Sequence, residues 1–548
     1  MRIMSKLLMS GKENERRQKE RKEVMKIIEA STIAELVRKG IPHLAYELPV
    51  DISAGQCAMC EHERIPIGKS VLSQLCTNDK IAREDQVPLC QDTGTVRVSI
   101  QVGKDVAISG DVFDGVNDAV AEAYDKGKLR LSVVKDSLND RSNTGNNTPA
   151  FCEVEIVDEP GVARLNLMIK GGGSDNASRV HMLVPGDGHQ GIIDHIVACV
   201  KEKAASACPP LTLGIGVGGT FDKVSQLAQR ALFRPVGQHS PNPDTAKFEE
   251  EILEAVNATG VGPGGLGGVA TVQQVNVETD ASHIASMPLA IDMGCSAMRR
   301  VTVDIPCREL TEDGGCSGEL TSEIIEEALN KGLAAEPGTA ERAAASVKEV
   351  MDKAAAKREA DGKSMNAGEG QDEAIKLQLP LSRDDLKNLK AGDKVLLSGP
   401  IYTLRDAGHI RLLDEMEEGK PLPYGLDGQT IYYAGPSPAA AGRPFGAIGP
   451  TTATRMDFAA PTLYENGIVA TIGKGHRNEA VHESCKKTGS VFFCTIGGCA
   501  AYLAKCIKSA ELIAYEDLGT EALRKCEVED FPVFVGIDTN GVDVYDHD

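Results

Sequence analysis

Three cysteines in the first half of this chain stand in settings that suit metal chemistry better than packing. Cys90 opens the run Cys90-Gln91-Asp92-Thr93-Gly94, which puts a soft thiol beside an amide and a carboxylate, just before the alternating Val96-Arg97-Val98-Ser99-Ile100. Cys208 precedes Pro209-Pro210, and Cys295 lies in Gly294-Cys295-Ser296, each where one element gives way to the next. Three thiolates drawn from distant parts of a chain can hold an iron–sulfur cluster and leave one iron open for substrate, whereas an electron carrier normally uses four. The plain alternative is that each is a small buried hydrophobe.

The second half is rich in groups that bind anions. Gly449-Pro450-Thr451-Thr452-Ala453-Thr454-Arg455-Met456-Asp457 gathers hydroxyls and a guanidinium behind a Gly-Pro turn, Gly473-Lys474-Gly475 flanks a lysine with glycines, and Arg405 lies in Tyr402-Thr403-Leu404-Arg405-Asp406. Arginine grips a carboxylate through two parallel hydrogen bonds and lysine adds a point charge, so two arginines and a lysine suit a small dicarboxylate. Any one of them alone reads as a surface cation. Lys170-Gly171-Gly172-Gly173-Ser174 follows a strand and offers backbone amides to an anion, or is simply a tight turn. His283 precedes the apolar stretch leading to Cys295 and would serve as a proton relay or orienting group if it stood beside a cluster.

Two further patterns carry less. Gly214-Ile215-Gly216-Val217-Gly218-Gly219 fits the dinucleotide fingerprint, but the region some twenty residues on is the loop Gln238-His239-Ser240-Pro241-Asn242-Pro243, without the expected acid at a strand end; the glycines read as room for whatever sits against Cys208. Cys57-Ala58-Met59-Cys60 has zinc or redox spacing with no second pair to complete it, and Cys494 and Cys499 read as core residues at a glycine turn.

The elements that must position these groups follow from periodicity. The run from Glu15 to Lys39 is helical in pattern; strands are expected at Thr95–Val102 and Ala163–Lys170, with helices at Asp111–Lys126 and His189–Ala207 between and after them. After Cys295 a strand, Val301–Ile305, leads into alanine-rich helices at Glu319–Glu336 and Thr339–Lys357, then a polar linker. Ile375-Lys376-Leu377-Gln378-Leu379 opens a second set of short strands (Lys394–Leu397, Thr430–Tyr433, Val491–Cys494, Phe531–Ile537) alternating with helices. The expected class is α/β and α+β in two domains: an N-terminal α+β cluster-binding domain over 1–310, a helical connection and linker over 311–374, and a smaller C-terminal α/β substrate-binding domain over 375–548.

A chain of 548 residues has room for two cores, and its net charge of −21 disfavours nucleic acid as a partner. The 15 cysteines do not sit in a small loop-rich scaffold, so a reducing cytoplasm is expected. No stretch reaches membrane-spanning length, and Lys6-Leu7-Leu8-Met9 is too short for a signal core.

Taken together, Pro88-Leu89-Cys90-Gln91-Asp92-Thr93-Gly94, Asn143-Thr144-Gly145-Asn146-Asn147-Thr148-Pro149-Ala150, Lys170-Gly171-Gly172-Gly173-Ser174, Cys208-Pro209-Pro210, Arg405-Asp406-Ala407-Gly408-His409, Gly449-Pro450-Thr451-Thr452 with Arg455-Met456-Asp457, and Ile472-Gly473-Lys474-Gly475 give a chain that resembles the class I, iron–sulfur-dependent fumarate hydratases, with fused α and β regions, over roughly Ala30 to Ile537. The related L-tartrate dehydratases and mesaconate hydratases share these motifs. The resemblance implies a hydro-lyase that hydrates fumarate to (S)-malate in the tricarboxylic acid cycle, with Cys90, Cys208 and Cys295 holding a [4Fe-4S] cluster. It implies substrate contacts at Gln91, Arg130, Gly173, Arg405, Thr452, Arg455 and Lys474, catalysis by Thr451 as base with Asp92 and His283 beside it, and a cytoplasmic homodimer with its site between the two regions. The chain departs from the family in a longer connection between Cys295 and Arg405, and in Gly408 where a second alanine is usual. A different class of reading, an electron-transfer or iron-sensing protein, needs neither an open iron nor a dicarboxylate pocket; a structural protein with free thiols needs no iron at all.

Overall fold

The computed structural model describes residues 25–311, 315–362, 373–416, 421–439 and 442–546. The expected helix from Glu15 lies mostly outside the described residues, and its end differs: Lys26–Glu29 is a strand and the helix runs Ala30–Tyr46. The β-branched Ile27-Ile28 pair finds a partner there, in parallel register with Ala107 and Ile108.

Two four-stranded sheets frame the N-terminal half. In the first the spatial order is Arg299–Asp304, Ala163–Lys170, Thr95–Gly103, Phe151–Val157, antiparallel except for the last pair. The alternation read at Thr95–Ile100 has its physical outcome here: Val96, Val98 and Ile100 are buried with the helices Ala30–Tyr46 and Val112–Lys126. Asp111 caps the latter helix by accepting from the Asp114 amide at 3.0 Å. In the second sheet the order is Arg179–Leu183, Met287–Gly294, Leu211–Gly219, Val272–Ser282, and the helices Gly188–Ala207 and Pro243–Asn257 share its core. Gly214 and Gly216 do not make room for Cys208, as the sequence suggested. A Cβ at either would strike the backbone of the helix Lys223–Ala231, at 2.1 Å from Ala228 O and 2.3 Å from Val224 O, so these glycines let that helix lie on the strand.

The alanine-rich helices after Cys295 are Ser322–Ala334 and Thr339–Ala360. Both pack inward: Ile325 and Leu329 join the core beneath the first sheet, and Ala343, Val347, Met351, Ala354 and Ala355 join the largest core, with Ile52 and Met59 of the helix Val50–His62. In the C-terminal half, Ile375–Gln378, Lys394–Thr403, Thr430–Tyr432, Ala470–Gly473 and Val491–Cys494 run parallel. The 15-residue strand Leu523–Ile537 pairs antiparallel with Lys394–Thr403 and also with Val491–Cys494, so the sheet curls back on itself. That half is a mixed α/β fold whose core is continuous with Leu48, Leu72 and Leu75 of the N-terminal half.

Candidate active site

Each of the three cysteines sits where an element ends. Cys90 follows the helix Pro66–Asp85 in a loop pinned by Asn78, which donates to Leu89 O at 3.0 Å. Cys208 terminates the helix Gly188–Ala207 in the left-handed region, φ 64°. Cys295 closes the strand Met287–Gly294, and its neighbour Ser296 donates its amide to Cys208 O at 2.9 Å while its carbonyl accepts from Gln56 Nε2 at 2.5 Å. The thiols are near enough to act on one another: burial pushes Cys295 up to about 11, and repulsion from Cys208 and Cys90 adds to it. Burial likewise raises Cys90.

Two cations face this trio. Lys474 Nζ donates to Cys208 Sγ at 2.6 Å and to Ser206 O at 3.3 Å. Arg299 is 1% exposed, stands close enough to Cys90 and Cys295 to favour their ionised forms, and donates through Nη2 to Asp92 O at 2.9 Å. Its Nε and Nη1 are buried with no hydrogen-bond partner among the described residues. A guanidinium with two unused donors beside three thiols suits an anionic group there, because an orphaned buried donor costs about 1–3 kcal/mol. Among the described residues no three His, Cys, Asp or Glu side chains converge tightly enough for a single metal ion. The donor set fits an iron–sulfur cluster instead: soft ligands, three in number, with cations facing the sulfurs.

The polar wall is built from both halves. Asp92 accepts from the Gly172 amide at 2.8 Å and from Arg130 Nη2 at 2.9 Å. Burial would push its carboxyl up, but Arg130, the Gly172 amide and Arg299 outweigh that and hold it down at about 2. The glycine run after Lys170 thus receives an anion, and the anion is Asp92. Arg130 also donates to Gly435 O of the C-terminal half at 3.0 Å. Gln91 Nε2 donates to Pro450 O at 3.4 Å, and a Cβ on Gly449 would lie 2.2 Å from Gln91 Oε1. Gly173 sits opposite Lys474, whose Nζ is 3.6 Å from where a Cβ would stand.

Arg405 begins the helix Asp406–Glu415, with Nη2 at 3.3 Å from Glu521 Oε1. Arg455 clasps Asp406 bidentately, Nε to Oδ1 at 2.8 Å and Nη2 to Oδ2 at 2.6 Å. Thr451 is 6% exposed and donates its amide to Tyr433 O at 2.7 Å; Thr452 bridges in parallel to Lys474, whose amide donates to Thr451 O at 3.3 Å. Thr451 and Lys474 therefore lie on adjacent backbones.

His283 does not join them in this chain. It is exposed in the turn between Val272–Ser282 and Met287–Gly294, accepting from the Ala285 amide at 3.1 Å. The eight-residue strand that follows carries the chain roughly 23 Å before Cys295, because a strand advances about 3.3 Å per residue. Sequence reading missed Arg299, Glu521 and Asp406. Adjacent arginines, Arg299-Arg300, close behind Cys295 were the available signal; Arg300 is spent on a buried pair with Asp51, Nη2 to Oδ2 at 2.6 Å. Nothing marked Glu521.

Comparison with known proteins gives this geometry a family. The family model described as fumarate hydratase (fumerase) matches residues 12–304, more than half of the chain, and the one described as fumarase C-terminus matches 342–548. The chain belongs to the fumarate hydratase family. Among its relatives in this family are the aerobic class I fumarate hydratase of Escherichia coli (strain K12), 30% identical over 87% of this chain and 82% of the relative, and the anaerobic class I enzyme of the same strain, 29% identical over the same shares. A putative L(+)-tartrate dehydratase subunit alpha of Methanocaldococcus jannaschii is 36% identical over 50% of this chain and 95% of its own length. The fumarate hydratase family is a family of hydro-lyases, and no helix among the described residues of this member is long and apolar enough to cross a membrane.

Proposed function

We propose that this protein hydrates fumarate to (S)-malate, reversibly, in a pocket between its two halves. The observation that carries the proposal is Arg299: a buried guanidinium with two donor nitrogens unpartnered among the described residues, beside Cys90 and Cys295, in a family of fumarate hydratases. In this reading Cys90, Cys208 and Cys295 hold a [4Fe-4S] cluster. A cluster held by three thiolates supplies Lewis-acid chemistry, weakening a carbon–oxygen bond without any change of redox state.

The chain's own residues do the rest. Arg405, Arg455 and Lys474 bind the substrate carboxylates and stabilise the charge that gathers on one of them as the neighbouring carbon loses its proton. Asp92, ionised at neutral pH, fixes Arg130; its ties run to Arg130, the Gly94 and Gly172 amides and the Ser132 hydroxyl, so we assign it to positioning. Gln91 and Thr452 orient the substrate, and Gly173 leaves space beside Lys474. Thr451 is the candidate base, its hydroxyl activated by the cationic surroundings. The 15 cysteines are all free, which accords with a cytoplasmic setting. We further propose that the protein works as a homodimer in the tricarboxylic acid cycle.

Dehydration of L-tartrate is the second reading, favoured by the 36% identity of the N-terminal half to a putative tartrate dehydratase subunit. The deciding experiment is anaerobic reconstitution with iron and sulfide, then a panel of fumarate, malate, tartrate and mesaconate. Fastest turnover of fumarate and malate supports the proposal. Fastest turnover of tartrate or mesaconate replaces it, and a loaded cluster with no hydratase activity on any of them refutes it.

A further inference from the structure

The segment 495–502 lies in the half of the chain that supplies none of the three candidate ligands, yet it reaches the loop of each. It leaves the strand Val491–Cys494 through the turn Thr495-Ile496-Gly497-Gly498-Cys499 and enters the helix Ala500–Cys506. Gly497 backs onto Cys208: a Cβ there would collide with Cys208 Sγ and stand 3.2 Å from Lys474 Cδ. Gly498, at φ 88°, backs onto Ser296, the neighbour of Cys295, and a Cβ there would lie 2.5 Å from Ser296 Oγ. Both positions need glycine, the first for space and the second for space and its left-handed backbone. The Tyr502 amide donates to Asn78 Oδ1 at 2.9 Å, and Asn78 Nδ2 donates in turn to Leu89 O at 3.0 Å, so one buried side chain carries the segment to the Cys90 loop. The turn is fixed to its own sheet: Thr495 donates its amide to Gly473 O at 2.9 Å and its hydroxyl to Pro532 O at 3.0 Å.

We infer that the segment 495–502 is a positioning element for the cluster site, setting the spacing of the three cysteine loops from the opposite half of the molecule. The inference rests on the reading of Cys90, Cys208 and Cys295 as ligands. Within the N-terminal half the Ser296 amide ties the Cys295 loop to Cys208, and the Cys90 loop hangs on Asn78. The segment 495–502 joins these two units, touching the first through Gly497 and Gly498 and the second through the Tyr502 amide. Groups that hold a metal ligand in place contribute to metal affinity without touching the metal, and losing one costs about 10–100-fold. Seating of this segment and retention of the cluster are therefore coupled, although the segment supplies no ligand. The coupling is read by iron and not by turnover, so it is separable from the substrate proposed above.

The test takes the full chain, reconstituted anaerobically with iron and sulfide, and measures the iron bound per chain and the rate at which ferrozine withdraws it. Gly497→Ala drives a methyl into Cys208 Sγ and is expected to lose iron about tenfold faster than the unaltered chain, as is Asn78→Ala, which cuts the tie to the Cys90 loop. Gly489→Ala is the control for backbone strain alone: it stands at φ 69° with nothing within 4 Å of the new methyl, and it keeps its iron. Iron release from a folded Gly497→Ala chain within about twofold of the unaltered rate overturns the inference, as does equal loss from Gly489→Ala. Hydrogen exchange on the unaltered chain decides without any variant: amides of 495–502 should exchange more slowly once iron and sulfide are bound, and unchanged exchange overturns the inference. A chain that takes up no iron sinks the cluster reading and this inference with it, whereas a loaded chain idle on every dicarboxylate refutes only the proposed hydration.

Discussion

His409 offers a quantitative check on how the C-terminal half holds Arg405. The imidazole is 0% exposed, its Nδ1–H donates to Arg405 O at 2.9 Å, its ring meets Tyr433 edge-on at 5.2 Å, and its Nε2 is buried without a partner among the described residues. Asp406 and Arg477 face it with opposite effects, and burial prevails, lowering it from 6.5 to about 4. Above pH 6.5 both folded and unfolded chains carry the neutral ring and nothing is lost. As pH falls below 6.5 the unfolded chain takes up a proton that the folded chain refuses until about pH 4, so stability declines across that window and the decline is complete below it. At about 1.4 kcal/mol per pH unit, the loss between pH 7.5 and 4.5 attributable to this one group is about 2.5 kcal/mol. His409→Phe keeps the aromatic volume and cannot titrate; it loses one hydrogen bond, a cost of about 1 kcal/mol that does not vary with pH. Urea unfolding followed by circular dichroism should therefore show the unaltered protein losing about 2.5 kcal/mol more than His409→Phe over that range, since other titrating groups cancel in the difference. Curves that stay parallel to within about 0.5 kcal/mol would refute the buried neutral imidazole and its part in fixing the Arg405 backbone.

Two further outcomes follow from the site. Arg455→Ala, which removes the guanidinium held bidentately by Asp406, should lower kcat/KM for malate by about a hundredfold or more, on the order of 3 kcal/mol, with little effect on the urea midpoint; near-normal turnover in a reconstituted sample contradicts its role. Gly449→Ala places a methyl 2.2 Å from Gln91 Oε1 and so displaces that amide, and a fall in kcat/KM with unchanged iron content is expected, whereas equal loss of iron would mean that the Cys90 loop had moved as well.

Much of the scaffold could be read from local pattern. The strand at Thr95–Gly103 and the helix at Gly188–Ala207 appear where periodicity put them, because each buries one face against a neighbour whose identity matters little. Local pattern failed where a long-range partner overrode it. Lys26–Glu29 became a strand because Val106–Ser109 lay alongside, and the glycines at 214 and 216 served a helix that packs over them. The alanine-rich helices read as a connection, yet Ala343 and Val347 are fully buried: alanine lets a helix approach closely, and only the neighbour, Val50–His62, reveals that it did.

The candidate site divides along the same line. Residue types and their immediate neighbours nominated Cys90, Cys208, Cys295, Arg405, Arg455 and Lys474, since soft sulfur, bidentate cations and glycine-flanked turns declare their chemistry locally. Whether Arg299 would reach the thiols, whether Glu521 would brace Arg405, and whether His283 would stay near Cys295 or be borne away by an eight-residue strand were settled only by the folded chain. Those outcomes depend on distances between segments far apart in sequence, and electrostatic and hydrogen-bonding energies fall away within a few ångströms, so convergence in space decides which chemically able residues act together.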